Sequence, residues 1–468
     1  MFFGHRFMRM AALAIVLCLP RWSLGQGAVS FGQQRPFVIG WIPVVGPGGA
    51  VGGVSIDAQG VIDRCDVELT GKLRDARLKA LSPVSADLAK DSRLRKVSLH
   101  GLTAALDVQR RSGKPATDEM QNLAGLTRVQ YLLVYPEQHD IVLAGPAEGW
   151  RVDDQGTVVG QASGQPVLQL DDLLVALRTA RKQLTSRELI TCSIDPTKEG
   201  LERYSRALAR QAKQPSQADL ERLEAAIGPQ TVTLTGVAGG THFARVLVAA
   251  DYMMKRLGMN LEAAPIEGLP SYLEMLQSPS APLPKNSMPR WWMAAKYEPL
   301  HKDDHGLAWQ LRGPGVQTLA EDGFQAGRGQ IVRVSNRSGS LAQNWAEAMT
   351  ARYDALAAKL PIFAELRNCM DLAVIGALLL KEDLPGRAGC DLAMLYDDKL
   401  LVVAEQQVPR TIDSRASFVA KARQTIISVS GGVELDPWQV LEKREVSTEV
   451  AAIRTSSAPV KRDRWWWD

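Results

Sequence analysis

The sequence predicts a mixed α+β protein of two domains, built from β-hairpins and amphipathic helices. Its 468 residues exceed the length at which one hydrophobic core usually stops growing. A content of 46% hydrophobic and 23% charged residues is typical of a folded globular chain. Segments with the period of strands alternate with segments that have the period of helices. A boundary is expected at residues 191–199, so that the first domain covers residues 26–190 and the second covers residues 191–445.

Residues 1–25 predict a cleaved secretory signal peptide. Arg6 and Arg9 form a positively charged start, and residues 10–19 form an apolar stretch, which is the order that signal peptides have. A membrane span needs about 20 apolar residues, so this stretch is too short to be one. We therefore expect an exported chain, periplasmic or extracellular, whose mature part has no transmembrane span. An uncleaved anchor and lipid attachment at Cys18 are the alternatives.

The charge of the mature chain excludes nucleic acid as a partner. The signal peptide contains three arginines and no acidic residue, so its removal lowers the formal net charge from +4 to +1. Proteins that bind nucleic acid gain much of their affinity from basic residues that neutralise phosphates. A nearly neutral chain offers no such surface.

The first domain is predicted to contain short strands, turns and helices. The glycine-rich stretch 37–61 predicts turns between strands rather than a dinucleotide-binding loop, because no helical pattern follows it. The sequences DAQG at 57–60 and DDQG at 153–156 are typical of hairpin turns. We predict helices over residues 72–81, 96–111 and 170–184, and strands over residues 129–135 and 141–143.

The second domain is predicted to alternate helices and strands. Residues 278–289 are rich in proline and serine and predict an exposed loop. We predict helices over residues 200–214, 217–227 and 348–380, the last interrupted at Pro361, and strands over residues 290–297, 306–312 and 400–404. Residues 446–468 lack periodicity and end in KRDRWWWD, which predicts a disordered tail.

Residues 231–258, TVTLTGVAGGTHFARVLVAADYMMKRLG, predict a strand, a glycine turn and a long amphipathic helix. The unpaired amide groups and the positive dipole end at the start of a helix attract anions. The two glycines allow a ligand to approach the backbone. We therefore predict a binding site for a small anion at Gly239, Gly240, Thr241, His242 and Arg245. The alternative is a glycine corner with a solvated basic stripe; a nucleotide P-loop is excluded, because no lysine follows Gly240.

The sequence His301-Lys302-Asp303-Asp304-His305 is the one dense cluster of histidines and carboxylates. On a helix, His301 and His305 would share one face, a spacing that occurs in zinc sites. The flanking segments have the pattern of strands, so we expect a hairpin loop at this position. No metal or cofactor is predicted, and His301 and His305 are the candidates if a metal binds.

Four cysteines remain after removal of the signal peptide: Cys65, Cys192, Cys369 and Cys390. An even number in an exported chain suggests disulfides, and Cys369–Cys390 is the candidate pair closest in sequence. Because Cys369 lies in a helical pattern, a buried free thiol is the alternative.

Long phrases run through most of the mature chain, among them LAGLTRVQYLLVYPE, DIVLAGPAEGW, PVLQLDDLLVALR, CSIDPTKEGL, TGVAGGTHFARVLVAADYMMKRLG and SVSGGVELDPWQV. Together they resemble a family of uncharacterised exported bacterial proteins that carry a domain of unknown function. The resemblance implies export. It implies no reaction, ligand or catalytic residue.

The residues favour a non-catalytic protein of the cell envelope or periplasm that binds a ligand or a partner. No G-x-S-x-G or H-E-x-x-H motif is present, the local patterns of common hydrolases. The acidic pair Asp171-Asp172 fits a helix start, where carboxylates complement the dipole. We expect a small anionic ligand or an envelope protein as partner. The alternative is a hydrolase that acts on an envelope polymer, which paired carboxylates in a deep pocket beside the basic stripe would favour.

Overall fold

The computed structural model describes the greater part of the chain. The described residues are 83–154, 156–210, 216–281, 289–326, 330–334, 340–419, 425–459 and 464–468, together with short strands between residues 37 and 64. The predicted signal peptide, the turn at residues 57–60, the helix at residues 72–81 and Cys65 lie outside the described residues.

The described residues form fourteen helices and several sheets, which makes the fold α+β, the predicted class. The helices are α1 (Leu99–Arg111), α2 (Asp118–Gln121), α3 (Leu170–Ser186), α4 (Lys198–Ala209), α5 (Gln217–Ile227), α6 (His242–Gly258), α7 (Tyr272–Gln277), α8 (Leu341–Ala351), α9 (Tyr353–Lys359), α10 (Pro361–Lys381), α11 (Leu384–Ala388), α12 (Ala393–Tyr396), α13 (Pro437–Val440) and α14 (Thr448–Ser456). Pro361 begins α10, so the predicted interruption is confirmed; the first turn of a helix does not need the N–H that proline lacks.

The described strands are mostly short. They are β1 (Phe37–Val38), β2 (Gly49–Val51), β3 (Val54–Ile56), β4 (Ile62–Arg64), β5 (Ser92–Ser98), β6 (Tyr131–Tyr135), β7 (Asp140–Ala147), β8 (Trp150–Val152), β9 (Val158–Gly160), β10 (Ile190–Pro196), β11 (Gln230–Thr235), β12 (Arg290–Lys296), β13 (Leu300–Lys302), β14 (Ala308–Gln310), β15 (Gly315–Ala326), β16 (Gln330–Val334), β17 (Leu401–Val402), β18 (Thr411–Ile412), β19 (Ala416–Val419), β20 (Thr425–Ser428), β21 (Ser430–Leu435), β22 (Arg444–Val446) and β23 (Trp466–Trp467).

Two seven-stranded sheets contain most of these strands. The first has the order β16-β15-β12-β21-β10-β11-β18, and the second has the order β22-β13-β14-β6-β7-β5-β23. In the first sheet β10 pairs antiparallel with β11 and β21, whereas β12 pairs parallel with β21. Pro36–Asp468 groups as one compact unit. The division into two domains near residue 190 stays a prediction.

The predicted hairpin turn at residues 153–156 is confirmed. It joins β8 to β9, which pair antiparallel. A carboxylate oxygen of Asp153 accepts a hydrogen bond from the N–H of Thr157 at 2.8 Å, and Gly156 has a φ of 79°. Asp supplies the local hydrogen bond and Gly the left-handed backbone that such a turn requires.

Three long helices, α3, α6 and α10, pack together in the main hydrophobic core. α10 contacts both α3 and α6, and α6 also lies on β10 and β21 of the first sheet. α6 is therefore buried on both its apolar and its polar side. The amphipathic pattern would expose the polar side to solvent, but His242 on that side contacts both of the other helices.

The segment 446–468 is not the disordered tail that the sequence predicts. Its described part contains α14 and β23, and β23 pairs antiparallel with β5. Trp466 and Trp467 are only 4% and 6% exposed. Burial of two tryptophans opposes the conformational entropy that favours disorder. A two-residue strand is too short to produce a visible period, which is why the pattern did not predict it.

Candidate functional site

The predicted anion site lies where the chain passes from β11 into α6. Thr241 is the N-cap residue: its hydroxyl oxygen accepts a hydrogen bond from the N–H of Ala244 at 3.2 Å. The same hydroxyl donates to the carbonyl oxygen of Ala238 at 2.8 Å. Thr241 thus ties the turn to the first turn of α6, the role of a threonine N-cap.

His242, the first residue of α6, lies between two carboxylates. Its Nδ1 is 2.9 Å from one carboxylate oxygen of Asp172 and 3.2 Å from the other, and its Nε2 is 3.9 Å from Oε1 of Glu365. Asp172 belongs to the start of α3 and Glu365 to the start of α10, and each of the three residues is 5–7% exposed. We call Asp172, His242 and Glu365 the His242 junction. The expectation of a solvated basic residue is therefore wrong for His242, which lies where three helices meet.

The surroundings of His242 favour its charged form. Burial lowers the pKa of the imidazole, but the negative charge of Asp172, their hydrogen bond and the charge of Glu365 outweigh it, so the pKa is raised. Burial raises the pKa of the neighbouring Asp171 to about 7. One oxygen of Asp171 is buried without a hydrogen-bond partner among the described residues. The site therefore combines an imidazole whose charged form is favoured with a carboxyl group that exchanges its proton near neutral pH.

Residues 404–406, which follow β17 and which we call the 404–406 strap, lie against this site. The N–H of Ala404 donates to a carboxylate oxygen of Asp171 at 3.2 Å. The N–H of Gln406 donates to the carbonyl oxygen of Gly240 at 2.8 Å. The strap therefore connects the start of α3 to the turn that precedes α6.

Arg245 also contacts the 404–406 strap. Its guanidinium donates to the side-chain oxygen of Gln406 at 3.1 Å, and Arg245 is only 4% exposed. The structure thus brings Thr241, His242 and Arg245 together at one helix start, but their side chains contact protein partners.

Gly239 and Gly240 are exposed. A Cβ atom on Gly239 would meet nothing within 4 Å, and one on Gly240 would come no closer than 3.6 Å to Cγ of Glu405. Neither glycine is among the residues with positive φ. Neither packing nor backbone conformation therefore requires glycine at these two positions. What the two glycines provide is an uncovered backbone.

The acidic partners of His242 were not found from the sequence. Asp171 and Asp172 do lie at a helix start, as their pattern indicates, but both also contact other parts of the chain. Glu365 lies in the run PIFAELRNC and is buried in α10. A carboxylate inside an apolar helical run needs a partner when it is buried, and this was the available signal.

His301 and His305 do not share a helix face. His301 lies on β13, and β13 pairs antiparallel with β14, so the predicted hairpin is confirmed. The Nε2 of His301 is 2.5 Å from a guanidinium nitrogen of Arg312 and 3.5 Å from a carboxylate oxygen of Glu445. Throughout the described residues, no group of three or more His, Cys, Asp or Glu side chains could hold a metal ion.

The predicted disulfide Cys369–Cys390 is not formed in the structure. Both cysteines are free and buried, at 0% and 4% exposure, and Cys192 is a buried free thiol as well. Cys369 lies inside α10, where helix packing places it in the core. The alternative of a buried thiol therefore describes Cys369 correctly.

In a comparison with protein families, a model described as "Protein of unknown function (DUF1598)" matches residues 192–272. The matched segment contains the site from Gly239 to Arg245, but not Asp172, Glu365 or Gln406. No curated protein and no solved structure was found to be similar to the chain. In the described part of the chain, none of the helices has the length and apolar character needed to cross a membrane.

Proposed function

We propose that the chain is an exported, non-catalytic protein of the cell envelope or periplasm that binds a small anionic ligand at residues 238–240, in front of α6. The observation that carries the proposal is the pair Gly239 and Gly240. Both are exposed, and neither is required to be glycine by packing or by backbone conformation. Their effect is to leave backbone N–H groups accessible at the positive end of the α6 dipole.

The charged residues behind the turn support this proposal. His242 and Arg245 follow the two glycines in the first turn of α6, and their side chains are held in position by Asp172 and Gln406. A fixed positive charge lowers the cost of ordering the site when an anion binds.

The described thiols argue against cysteine chemistry. Burial raises the pKa of Cys192, Cys369 and Cys390 above that of a free thiol, whereas a nucleophilic cysteine needs a lowered pKa. This supports a binding role over catalysis through these residues.

The test is a thermal-shift titration of the mature chain, beginning at residue 26, with inorganic phosphate, small carboxylates, neutral sugars and divalent metals. A ligand that binds only the folded state raises the melting temperature by mass action. Phosphate or a carboxylate is expected to raise it, and Gly239→Leu is expected to abolish the shift, because leucine fills the open space over the turn. Thr233→Leu, on the exposed face of β11, is the control with similar added bulk.

Two results would contradict the proposed site. An anion shift that persists in Gly239→Leu would place the ligand elsewhere on the chain. A shift with divalent metals alone would contradict an anion site and favour His301 and His305 as metal ligands.

Export is tested separately: the chain is expected in the periplasmic or extracellular fraction, and deletion of residues 2–25 is expected to retain it in the cytoplasm.

A hydrolase acting on an envelope polymer is the second candidate, and one observation favours it. The pKa of Asp171 is raised to about 7, a value suited to a general acid near neutral pH. If the chain hydrolyses cell-wall polymer, Asp171→Asn should abolish release of soluble fragments while Asp154→Asn, at an exposed turn, leaves it unchanged.

A further inference from the structure

Residues 464–468, RWWWD, which we call the 464–468 arm, lie along one edge of the second sheet. β23, inside this arm, pairs antiparallel with β5, whose other neighbour is β7. The carbonyl oxygen of Trp465 accepts a hydrogen bond from the N–H of Ser98 at 2.8 Å. Main-chain pairing of this kind is how an extended peptide adds to the edge of a sheet.

Two tryptophans of the arm enter different pockets. Successive side chains of a strand point to opposite faces of the sheet. Trp466 accordingly belongs to the main core, whereas Trp467 belongs to a smaller cluster that contains Val142 and Val450. Only 4% of Trp466 and 6% of Trp467 is exposed. The arm is therefore held by side-chain pockets as well as by backbone pairing.

The charges of the arm complement those of its surroundings at both ends. Arg464 pairs with Asp87 at 2.7 Å, and Asp468 pairs with Arg95 at 2.8 Å. The guanidinium carbon of Arg95 also lies 5.2 Å from the centre of the Trp466 ring. Ion pairs of opposite sense at the two ends fix the register and direction of a bound peptide.

Gly101 in the first turn of α1 leaves room for the arm. A Cβ atom at this position would lie 2.8 Å from Cβ of Trp465 and 3.1 Å from its Cα. Glycine is less favourable in a helix than other residues except proline, so the helix itself does not call for it. We call the surface formed by β5, Asp87, Gly101 and Glu119 the arm groove.

The contacts of the arm do not depend on which copy of the chain supplies it. In the described part of the chain, its hydrogen bonds and ion pairs all go to residues 87–119. The preceding helix α14 ends at Ser456, and residues 457–463 lie between it and the arm. A second copy carries the same arm and the same groove, with the same complementary charges.

We infer that the arm and the arm groove form an exchangeable joint between two copies of this chain. The arm of each copy docks in the groove of the other when the copies are held at high local concentration, and in its own groove otherwise. Reciprocal exchange of identical elements produces a closed dimer with two-fold symmetry. The inference does not depend on the proposed ligand.

The expected affinity follows from the competition between the two arrangements. A segment joined to its own site through a short connection has an effective concentration of about 1 mM. If the arm is undocked in about 1% of molecules or fewer, it binds a vacant groove of a second copy with a Kd of about 10 µM or lower. In the parent chain the groove is filled by its own arm, so exchange requires concentrations near about 1 mM.

The experiment mixes two variants of the mature chain that each keep one half of the joint. Gly101→Leu blocks the groove and keeps the arm, and leucine favours the helix more than glycine does. Trp466→Ala keeps the groove and weakens the arm. Analytical ultracentrifugation of an equimolar mixture at about 50 µM, above the expected Kd, should show a complex that neither variant forms alone.

Ala104→Leu is the matched control for the blocked groove. It adds leucine at an exposed position of the same helix and leaves the arm docked in its own groove. Its mixture with Trp466→Ala should therefore show no complex at the same concentration.

A synthetic peptide of residues 461–468 replaces the second copy if either variant does not fold. The peptide should raise the melting temperature of Trp466→Ala, or restore its fold, in proportion to the logarithm of peptide concentration. The same peptide with alanine in place of Trp466 should have no effect.

Three results would overturn the inference. The two variants could both be folded and yet form no complex in the mixture. Ala104→Leu could form the same complex as Gly101→Leu, which would place the contact outside the groove. The two peptides could also have equal effects on Trp466→Ala. Whether the turn before α6 binds an anion is independent of all three results, since no ligand is present.

Discussion

Truncation of Trp466 to alanine is expected to destabilise the fold strongly, although the residue lies two positions from the end of the chain. Trp466 is 4% exposed and is part of β23. The guanidinium carbons of Arg95 and Arg464 lie 5.2 Å and 5.3 Å from the centre of its ring, and its indole N–H donates to Glu119. Three kinds of side-chain contact are thus lost together: apolar packing, two cation–π contacts and a hydrogen bond.

The magnitude follows from these contacts. Replacement of a buried tryptophan by alanine costs about 3–5 kcal/mol through lost transfer energy and the cavity that remains. The Arg95 contact is desolvated, because Arg95 is 0% exposed, and a cation–π contact of this kind adds about 1–2 kcal/mol. Since these contributions overlap, we expect a loss of about 4 kcal/mol in the free energy of unfolding for Trp466→Ala.

A second substitution at the same end provides a graded comparison. Asp468 pairs with Arg95 at 2.8 Å, but its side chain is 41% exposed. Arg95 also donates to the carbonyl oxygens of Leu88, Ala124 and Lys90, so it keeps hydrogen-bond partners when the carboxylate is removed. Asp468→Asn should therefore cost only about 1 kcal/mol, as expected for a partly solvated ion pair.

The assay is urea unfolding of the mature chain followed by far-UV circular dichroism, which does not depend on tryptophan fluorescence. Trp465→Ala is the matched control, because Trp465 is adjacent but only half-buried. The reasoning fails if Trp466→Ala costs less than about 1 kcal/mol, or no more than Trp465→Ala. Either result would mean that the end of the chain is not part of the folded core.

Three further predictions concern buried polar groups and one glycine. Lys255→Met should lower the free energy of unfolding by about 3 kcal/mol at alkaline pH, because the buried Asp251, 2.8 Å from Lys255, loses its counter-charge. The loss should be smaller at acid pH, since the pKa of Asp251 is raised to about 6 and the carboxylate takes up a proton there. Asp171→Asn should flatten the pH dependence of stability, measured by urea unfolding. The folded pKa of Asp171 is about 7, above the ordinary aspartate value of 3.8, so the parent chain loses stability as the pH rises between these values and the variant does not. Gly431→Ala should lower the free energy of unfolding by about 3 kcal/mol or prevent folding, because a Cβ atom would lie 1.7 Å from a carbonyl oxygen of β12. Gly239→Ala is the control: its Cβ atom would lie in open space, so the loss measured by urea unfolding should be less than about 1 kcal/mol.

Local patterns predicted the elements that build the site, because strands, turns and helices are encoded over short stretches. The strand, turn and helix of residues 231–258 appear as β11 and α6, and the threonine before α6 is its N-cap. The hairpin around His301 and His305 was predicted from its flanking strands and is present. In each case the deciding residues are neighbours in sequence.

The polar partners could not be predicted, because they come from distant parts of the chain. Asp172 precedes His242 by 70 residues, and Glu365 belongs to another helix. A helical wheel assigns the polar stripe of α6 to solvent, since it contains no information about a second layer of helices. The same reason explains the end of the chain, where Trp466 and Trp467 are buried through pairing with β5.

The polar residues of α6 fix this helix in one position. Apolar packing alone tolerates small shifts, because hydrophobic contacts are not directional. His242 at the start of α6 and Lys255 near its end each make directional contacts with other elements: His242 with Asp172, and Lys255 with the carbonyl oxygen of Ile194 at 3.1 Å. A sliding or rotation of α6 would break both. The family match at residues 192–272 includes α6, β11 and most of β10. It contains only the Lys255 half of this arrangement, since the carboxylates that hold His242 lie outside it. If the turn before α6 is the binding site, its geometry is therefore set by helices that the matched segment does not contain, and the segment expressed alone should not reproduce the affinity of the mature chain.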